Sequence, residues 1–279
     1  MSKVGVVTDS SCDLPAAVVA RYSICVVPLY INVGGQGYLD GIDITRTVFY
    51  KKLSNFPVYP TTAVPSPQKF HAIYDALAGE GAHEVLSIHI STSLSSVVDV
   101  AQVAARETTS VPVTVFDSRQ LSLGTGFLVE TAARLAQAGC SVSQILPLLN
   151  QQIKRTHVFA VLDTLQFLRR SGRMNPLLSS IGELVQIKPL LKMYDGKASA
   201  ERIPTHIRAM KRLVQLLHEY SPFERVALVH TNAASRAQAL LQEVKQYLPS
   251  GEIWSEQINP VLGAHIGPGV VGFACVSIK

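Results

Sequence analysis

The chain has 279 residues, 47% of them hydrophobic and only 16% charged, with a formal net charge of +5. That length holds one large domain or two ordinary ones, and a charged fraction below the usual value of about 25% points to a large core, an apolar cavity or an oligomer interface. Basic pairs such as Arg169-Arg170 and Lys211-Arg212 are short and separated, with no basic tail, zinc-finger spacing or aromatic RNA-binding motif, so no nucleic-acid partner is expected and a mild attraction to anions or an acidic partner fits better.

The run VGVVTDS (4–10) is β-branched and ends in polar residues, the pattern of a buried parallel strand. Asp13-Leu14-Pro15 reads as an N-cap with proline in the first turn of a helix over PAAVVARY. A second strand is expected over 24–33, then a turn-rich loop, GGQGYLDG, and a short helix capped by Thr45. PTTAVPSP (60–67) reads as a proline- and hydroxyl-rich loop before the helix QKFHAIYDALA. Strands over 84–90 and 111–118 each lead into a helix, and Gly139 suits a C-terminal cap. SVSQILPLLNQQIKRT is a further helix, with Pro147 set against regularity in its first part.

Strand–helix alternation over the first 155 residues predicts a parallel α/β sheet with helices on both faces. Ligands of such sheets sit off the carboxyl ends of the strands. The loops at Asp9-Ser10-Ser11, Ser91 to Ser96 and Asp117-Ser118 are therefore expected to converge. The second half opens with HVFAVLDTLQFLRRSGRMN, a strand ending in a basic turn. IKPLLKMYDGKASAERI follows as two strands joined by Asp195-Gly196, a type I′ hairpin signal. Helices over THIRAMKRLVQLLHEY and ASRAQALLQEVKQYL, and strands at RVALVHTN, EIWSEQI and GVVGFACVSI, complete a mixed-sheet α+β pattern.

Cys12, Cys25, Cys140 and Cys275 form no CxxC pair, which fits free thiols in a reducing compartment. The N-terminus enters a strand without a leader-like apolar region, so a cytoplasmic location is expected. The longest stretch lacking Asp, Glu, Lys and Arg follows Glu256 and is broken by Pro260 and Pro268, so no stable membrane insertion is expected. The histidines lack metal-ligand spacing, and no metal or cofactor is expected. Gly267-Pro268-Gly269-Val270-Val271-Gly272 imitates a dinucleotide loop, but the chain reaches Lys279 before the acidic residue such a unit carries about 20 positions on. No P-loop and no GxSxG elbow occurs.

The segment HISTSLSSVVDVAQ places Ser91, Thr92, Ser93, Ser95 and Ser96 between a strand and a helix. Such hydroxyls either cap the helix or join its free N–H groups in holding an anion. One serine suffices for the cap. Thr61-Thr62 forms a second hydroxyl loop between prolines. Arg169, Arg170 and Arg173 are either solvated charge or cations offered to a ligand or partner. His265 is either a satisfied turn histidine or a hydrogen-bond donor to an anion.

Taken in order, VVTDSSCDLP, VVPLYINV with YLDGIDIT, PTTAVPSP, ISTSLSS, VFDSRQLSLGTG, DTLQFLRRSGRM, IKPLLKMYDGK and GAHIGPGVVG resemble the DegV family of bacterial lipid-binding proteins. The resemblance implies a two-domain α/β fold. A parallel-sheet N-terminal α/β domain (1–155) would join a mixed-sheet C-terminal α+β domain (156–279), with a lipid tunnel between them. It implies a long-chain fatty acid in that tunnel. In some members the carboxylate is presented to a separate fatty acid kinase subunit of the DAK type, which makes an acyl phosphate for phospholipid synthesis. The binding protein itself would be non-catalytic and bind no ATP.

Carried over by position, the carboxylate would meet Thr62, Ser95, Ser96 and His265. Ser91, Thr92, Ser93 and Gly267 would support the loops, and Arg173 would face the partner or phosphoryl group. The chain departs from the family pattern at Ala63, Ser93, Ser96 and Val97, where the family carries a serine, two glycines and a threonine. The small residues around His265 would let the backbone pass close to the ligand mouth. A serine-dependent lipid hydrolase using the 91–96 cluster, and a lipid sensor or storage protein without a kinase, are the alternative readings.

Overall fold

This computed structural model describes residues 3–173 and 188–278, and among the described residues three sheets organise the fold. Met1, Ser2, Met174 and Asn175 of the basic turn, Ile187 at the start of the expected hairpin, and Lys279 lie outside the described residues. The first part contains β1 (Val4–Asp9), α1 (Ala16–Arg21), β2 (Cys25–Val27), β3 (Tyr30–Val33), β4 (Gln36–Leu39), α2 (Arg46–Lys52) and β5 (Thr61–Ala63). It continues through α3 (Pro67–Gly79), β6 (Glu84–His89), α4 (Val97–Glu107), β7 (Val113–Asp117), α5 (Ser122–Gln137) and α6 (Val142–Ile153).

All six residues of β1 are buried, as a strand covered on both faces requires. Four parallel strands run in the order β2-β1-β6-β7. Strand order reverses between β1 and β6, so the crevice off their carboxyl ends is the topological switch point of this sheet. The three polar loops do meet there. Asp9 accepts from the Ile90 N–H at 3.2 Å, the Thr92 hydroxyl donates to Asp117 at 2.8 Å, and the Ser118 N–H donates to the His89 carbonyl at 3.0 Å.

Three local expectations need correction. The strand expected over 24–33 is two strands, because Pro28 offers no N–H to a ladder. Cys25–Val27 pairs with β1, whereas Tyr30–Val33 passes into a separate antiparallel sheet of order β4-β3-β5. The two expected loops at 34–41 and 60–67 supply the outer strands of that sheet. Asp13 does not cap α1: its backbone is left-handed (φ 55°) and its side chain is buried elsewhere. Pro147 does lie inside α6, where a Ser141–Gln144 capping box secures the helix start.

The second part contains β8 (Thr156–Val161), α7 (Gln166–Arg170), β9 (Lys188–Tyr194), β10 (Lys197–Ile203) and α8 (His206–Tyr220). It ends with β11 (Phe223–His230), α9 (Ala234–Glu243), β12 (Trp254–Gln257), α10 (Pro260–Ile266) and β13 (Val271–Ser277). The six-stranded sheet has the order β10-β9-β8-β13-β11-β12, antiparallel except where β11 meets β12. Asp195 and Gly196 both have positive φ, as a type I′ hairpin demands.

Alternation along the strands gives this sheet two apolar faces. Phe159, Leu228 and Phe273 pack under Leu213 and Leu217 of α8. Val158, Met193 and Val229 point the other way and join one cluster with Ile31, Phe49 and Phe127 from the first part. At the same junction the Arg225 guanidinium lies over the adjoining rings of Phe127 and Trp254, 4.5 and 4.8 Å from their centroids, and pairs with Glu130. The fold is thus a two-domain α/β arrangement, one parallel and one mixed sheet, closed over a shared apolar seam. Among the described residues no helix is long and apolar enough to cross a membrane.

Candidate functional site: an apolar cavity with a hydroxyl–imidazole mouth

A cavity of about 500 Å³ lies within the seam, inside the range of about 300–1,000 Å³ typical of small-molecule sites. Leu29, Ile90, Leu121, Val158, Met193 and Leu262 are among its apolar walls. Its position beside the β1/β6 switch point is the one the topology favours.

Ser122, Lys192 and Ser199 are among the polar residues on its lining, and four further segments supply the rest. Thr62 is in β5, Ser93 and Ser95 follow β6, Arg173 follows α7, and His265 is in the last turn of α10. Thr62 Oγ1 and His265 Nε2 are 3.0 Å apart, a contact between residues 203 positions apart in sequence. Burial pulls the His265 pKa down to about 4, and the nearby positive charge of Arg173 acts in the same direction. The imidazole is therefore neutral near pH 7. Its Nδ1 is buried and has no hydrogen-bond partner.

The remaining hydroxyls have other placements. Ser91 is buried off the cavity, with its hydroxyl 3.0 Å from that of Ser93 and accepting from the Ser93 N–H at 3.3 Å. Thr92 is held by Asp117. These two residues brace the loop. Ser96 occupies the N-cap of α4 without a side-chain capping bond, is exposed and does not line the cavity, so its expected contact with a carboxylate is not brought together here. The reason is local: once Ser95 faces inward, the turn into α4 directs its neighbour to solvent.

Gly267 also stands apart from the cavity lining. It is the C-cap of α10, with φ 76° and ψ −179°, and the Phe167 ring fills the space its side chain would take. Tyr50 does the same at Gly263, and Asp163 with Arg236 at Gly269. The expectation that these small residues open the backbone to a ligand is thereby corrected. They let other parts of the protein pack against α10 and its exit.

Helix α10 was not legible as a helix among the glycines. Its signal is Asn259-Pro260, an N-cap followed by proline at N1. The Asn259 side chain accepts from the Leu262 N–H at 2.9 Å. Asn259 is itself held by Asp13, which accepts from its backbone N–H at 2.8 Å and its Nδ2 at 3.0 Å, and from the Ser122 hydroxyl at 2.6 Å. Asp13, the residue misread as a cap, thus fixes the start of the helix that carries His265.

A serine–histidine–aspartate chain does exist elsewhere. Ser87 Oγ is 2.7 Å from His89 Nε2, and His89 Nδ1 is 2.9 Å from Asp9 Oδ2. All three are fully buried, and the Tyr74 hydroxyl donates to Ser87 at 2.9 Å. Burial alone would raise the Asp9 pKa, but the His89 bonds outweigh it and hold the carboxyl below its usual range. A triad must present its serine to a substrate; this one ties β1 to β6 inside the core.

Fold and cavity together define a two-domain α/β protein with an apolar interdomain pocket whose lining carries hydroxyls, a neutral imidazole and the cationic Arg173 and Lys192. The family model described as "Uncharacterised protein, DegV family" matches residues 3–277, and the chain belongs to the DegV family. It is 33% identical over 275 residues to a DegV domain-containing protein of Streptomyces coelicolor, covering 96% of each. A DegV family protein from Thermus thermophilus, whose structure is described as showing fatty acid binding, superposes with a TM-score of 0.90 at 33% identity, over 99% of this chain and 100% of that one. DegV from Bacillus subtilis, described as a fatty acid binding protein, gives the same TM-score at 26% identity and the same coverage.

Proposed function

We propose that the protein binds a long-chain fatty acid in the interdomain cavity, taking residues 1–155 and 156–279 as its two domains, and offers the carboxylate to a separate kinase subunit in the cytoplasm. The observation that carries this reading is the orphaned, buried Nδ1 of His265 beside Thr62 at the cavity lining. If the Thr62 hydroxyl donates to Nε2, the neutral ring carries its proton on Nδ1 and has one N–H to give to a carboxylate. Ser95 and Ser93 add hydroxyls from the facing loop.

Apolar burial supplies roughly 0.8 kcal/mol per methylene, on the order of 12 kcal/mol gross for a chain of about 15 methylenes, before ordering costs. The tail then sets affinity and the neutral donors set orientation. A carboxylate held without a tight salt bridge keeps its oxygens available for phosphoryl transfer. Arg173, exposed and on the cavity lining, is the group that would meet the incoming phosphoryl group or the partner. The described relatives support the ligand class, and the chain itself is read as a non-catalytic carrier that needs no cofactor.

Mass spectrometry of lipid extracted from the purified protein is the direct test. A stoichiometric fatty acid is expected; no acyl ligand together with no uptake of added fatty acid overturns the reading. Thr62→Ala combined with Ser95→Ala should weaken head-group capture. Arg173→Glu should keep the ligand yet lose stimulation of a cognate kinase. Product release from an acyl substrate without ATP or a partner would instead identify a hydrolase, and fatty acid binding that stimulates no kinase would identify a sensor or store.

A further inference from the structure

A second cavity, about 250 Å³, lies where the turn after β1 meets the segment between β4 and α2. It shares no lining residue with the first. Leu14, Val19, Val26 and Ile42 contribute apolar surface, and Asp13, Asp40 and Arg46 contribute charge. The charged groups differ in how they are matched. Asp13 is occupied by Asn259, Ser122 and Arg46. Arg46 spans Asp13 at 3.4 Å and Glu256 at 3.5 Å, and donates to the Gln257 carbonyl. Asp40 is only 5% exposed, and its Oδ2 has no hydrogen-bond partner.

A buried carboxylate oxygen is among the strongest acceptors in a protein and among the most unfavourable to leave unmatched. The local charge points the same way. Asp9 and Asp13 both oppose the ionisation of Asp40; a hydrogen bond from the neutral Ser10 side chain favours it, and Arg46 is the one positive charge that does so among the described residues. That one guanidinium is already divided between Asp13 and Glu256. The site is short of positive charge. Among the described residues no group of three His, Cys, Asp or Glu side chains could hold a metal ion, and the apolar walls suit an organic cation.

We propose that this cavity binds a small organic cation, a primary ammonium on a short apolar body. The ammonium donates to Asp40 Oδ2, and the body packs against Leu14, Val19 and Val26. A neutral alcohol could satisfy the oxygen but not the charge deficit, and it marks the alternative that the test must separate.

Burial, ahead of the neighbouring carboxylates, pushes Asp40 up to about 7. The other groups facing it are Asp9 at the end of β1, Asp13 and Cys12 on the turn after it, and Arg46 and Tyr50 on α2; Cys12 is pushed to about 12 and Tyr50 well above its ordinary value, both chiefly by burial. Cation binding therefore strengthens as the pH rises through about 7, where Asp40 becomes charged.

Calorimetric titration of the full chain with n-butylammonium chloride, and with n-butanol as its neutral isostere, tests the site. One ammonium per chain is expected, bound at least about tenfold more tightly than the alcohol, as a charge-assisted bond implies. Asp40→Asn should remove that preference while leaving fatty acid uptake intact. If that variant does not fold, Ile42→Trp, which puts bulk at the exposed edge of the cavity, should block butylammonium instead. No binding by the unmodified chain, equal binding of amine and alcohol, or full binding by either folded variant overturns the proposal.

Discussion

Replacing Gly267 with alanine tests the packing account of the glycine-rich segment. The residue sits at φ 76°, ψ −179°, a region essentially restricted to glycine, where another residue carries about 1–3 kcal/mol of strain. A Cβ there would also stand 2.6 Å from Phe167 Cε2, and closer still to its neighbour on the ring. Overpacking of that kind costs about 1–3 kcal/mol. Gly267→Ala should therefore destabilise by about 2–6 kcal/mol, against a total stability of about 5–15 kcal/mol for a protein. Urea unfolding of the single variant, of Phe167→Ala and of the double variant separates the two parts. In the Phe167→Ala background only the backbone part should remain, giving a coupling of about 1–3 kcal/mol. A cost below about 1 kcal/mol, or an equal cost in both backgrounds, would refute the reasoning. The perturbation also reaches a neighbouring ring and its cation. Phe167 contacts Tyr59 at 5.2 Å between ring centroids, and the Tyr59 ring carries Arg170 at 4.9 Å.

Asp13→Ala leaves the Asn259 donors, the Ser122 hydroxyl and Arg46 without their shared acceptor, so unfolding should show a loss of about 3–5 kcal/mol, with a smaller loss for Asp13→Asn. The ligand-free protein should also lose stability on acidification because of His265. Its folded pKa, about 4, lies below the ordinary value of 6.5, so the stabilisation is complete above 6.5 and is lost as the pH falls towards 4. The loss approaches about 3 kcal/mol, and a pH series of unfolding curves on the native chain and His265→Gln should show it only in the former.

The long regular elements were legible because their pattern is local. Val4–Asp9 reads as a doubly covered strand from its own letters, and Thr45 caps α2 as its position before a helical run suggests, accepting from the Val48 N–H. What failed were features decided by distant partners. Tyr30–Val33 leaves the first sheet because two short strands elsewhere are available to pair with it. Asp13 looks like a cap beside Pro15, but its partners are 109 and 246 positions away. The glycines near the C-terminus advertise close approach without saying to what; Tyr50 and Phe167 answer that only in three dimensions. At the cavity, the segment resemblance singled out Thr62 and His265, and the fold sets them 3.0 Å apart. Ser95 and Ser96 carried equal weight as letters, yet the turn into α4 brings only the first to the cavity.

The neutral state of His265 gives the fatty acid reading its most discriminating consequence. In the ligand-free chain, burial and Arg173 hold the imidazole pKa at about 4. A carboxylate arriving at Nδ1 adds a negative charge where none stood, and an opposite charge at hydrogen-bond distance favours the protonated ring. The His265 pKa should therefore rise from about 4 towards its ordinary value on loading. By linkage, the loaded protein then takes up protons over that interval and fatty acid binding tightens as the pH falls through it. Titration of the His265 ring resonances by NMR, with and without bound fatty acid, reads the shift directly, and Thr62→Val should diminish it by freeing the ring to turn. A bound fatty acid that leaves the His265 titration unchanged would mean that its carboxylate lies elsewhere, because no head group at the Thr62–His265 pair could be electrostatically silent to a buried ring beside it.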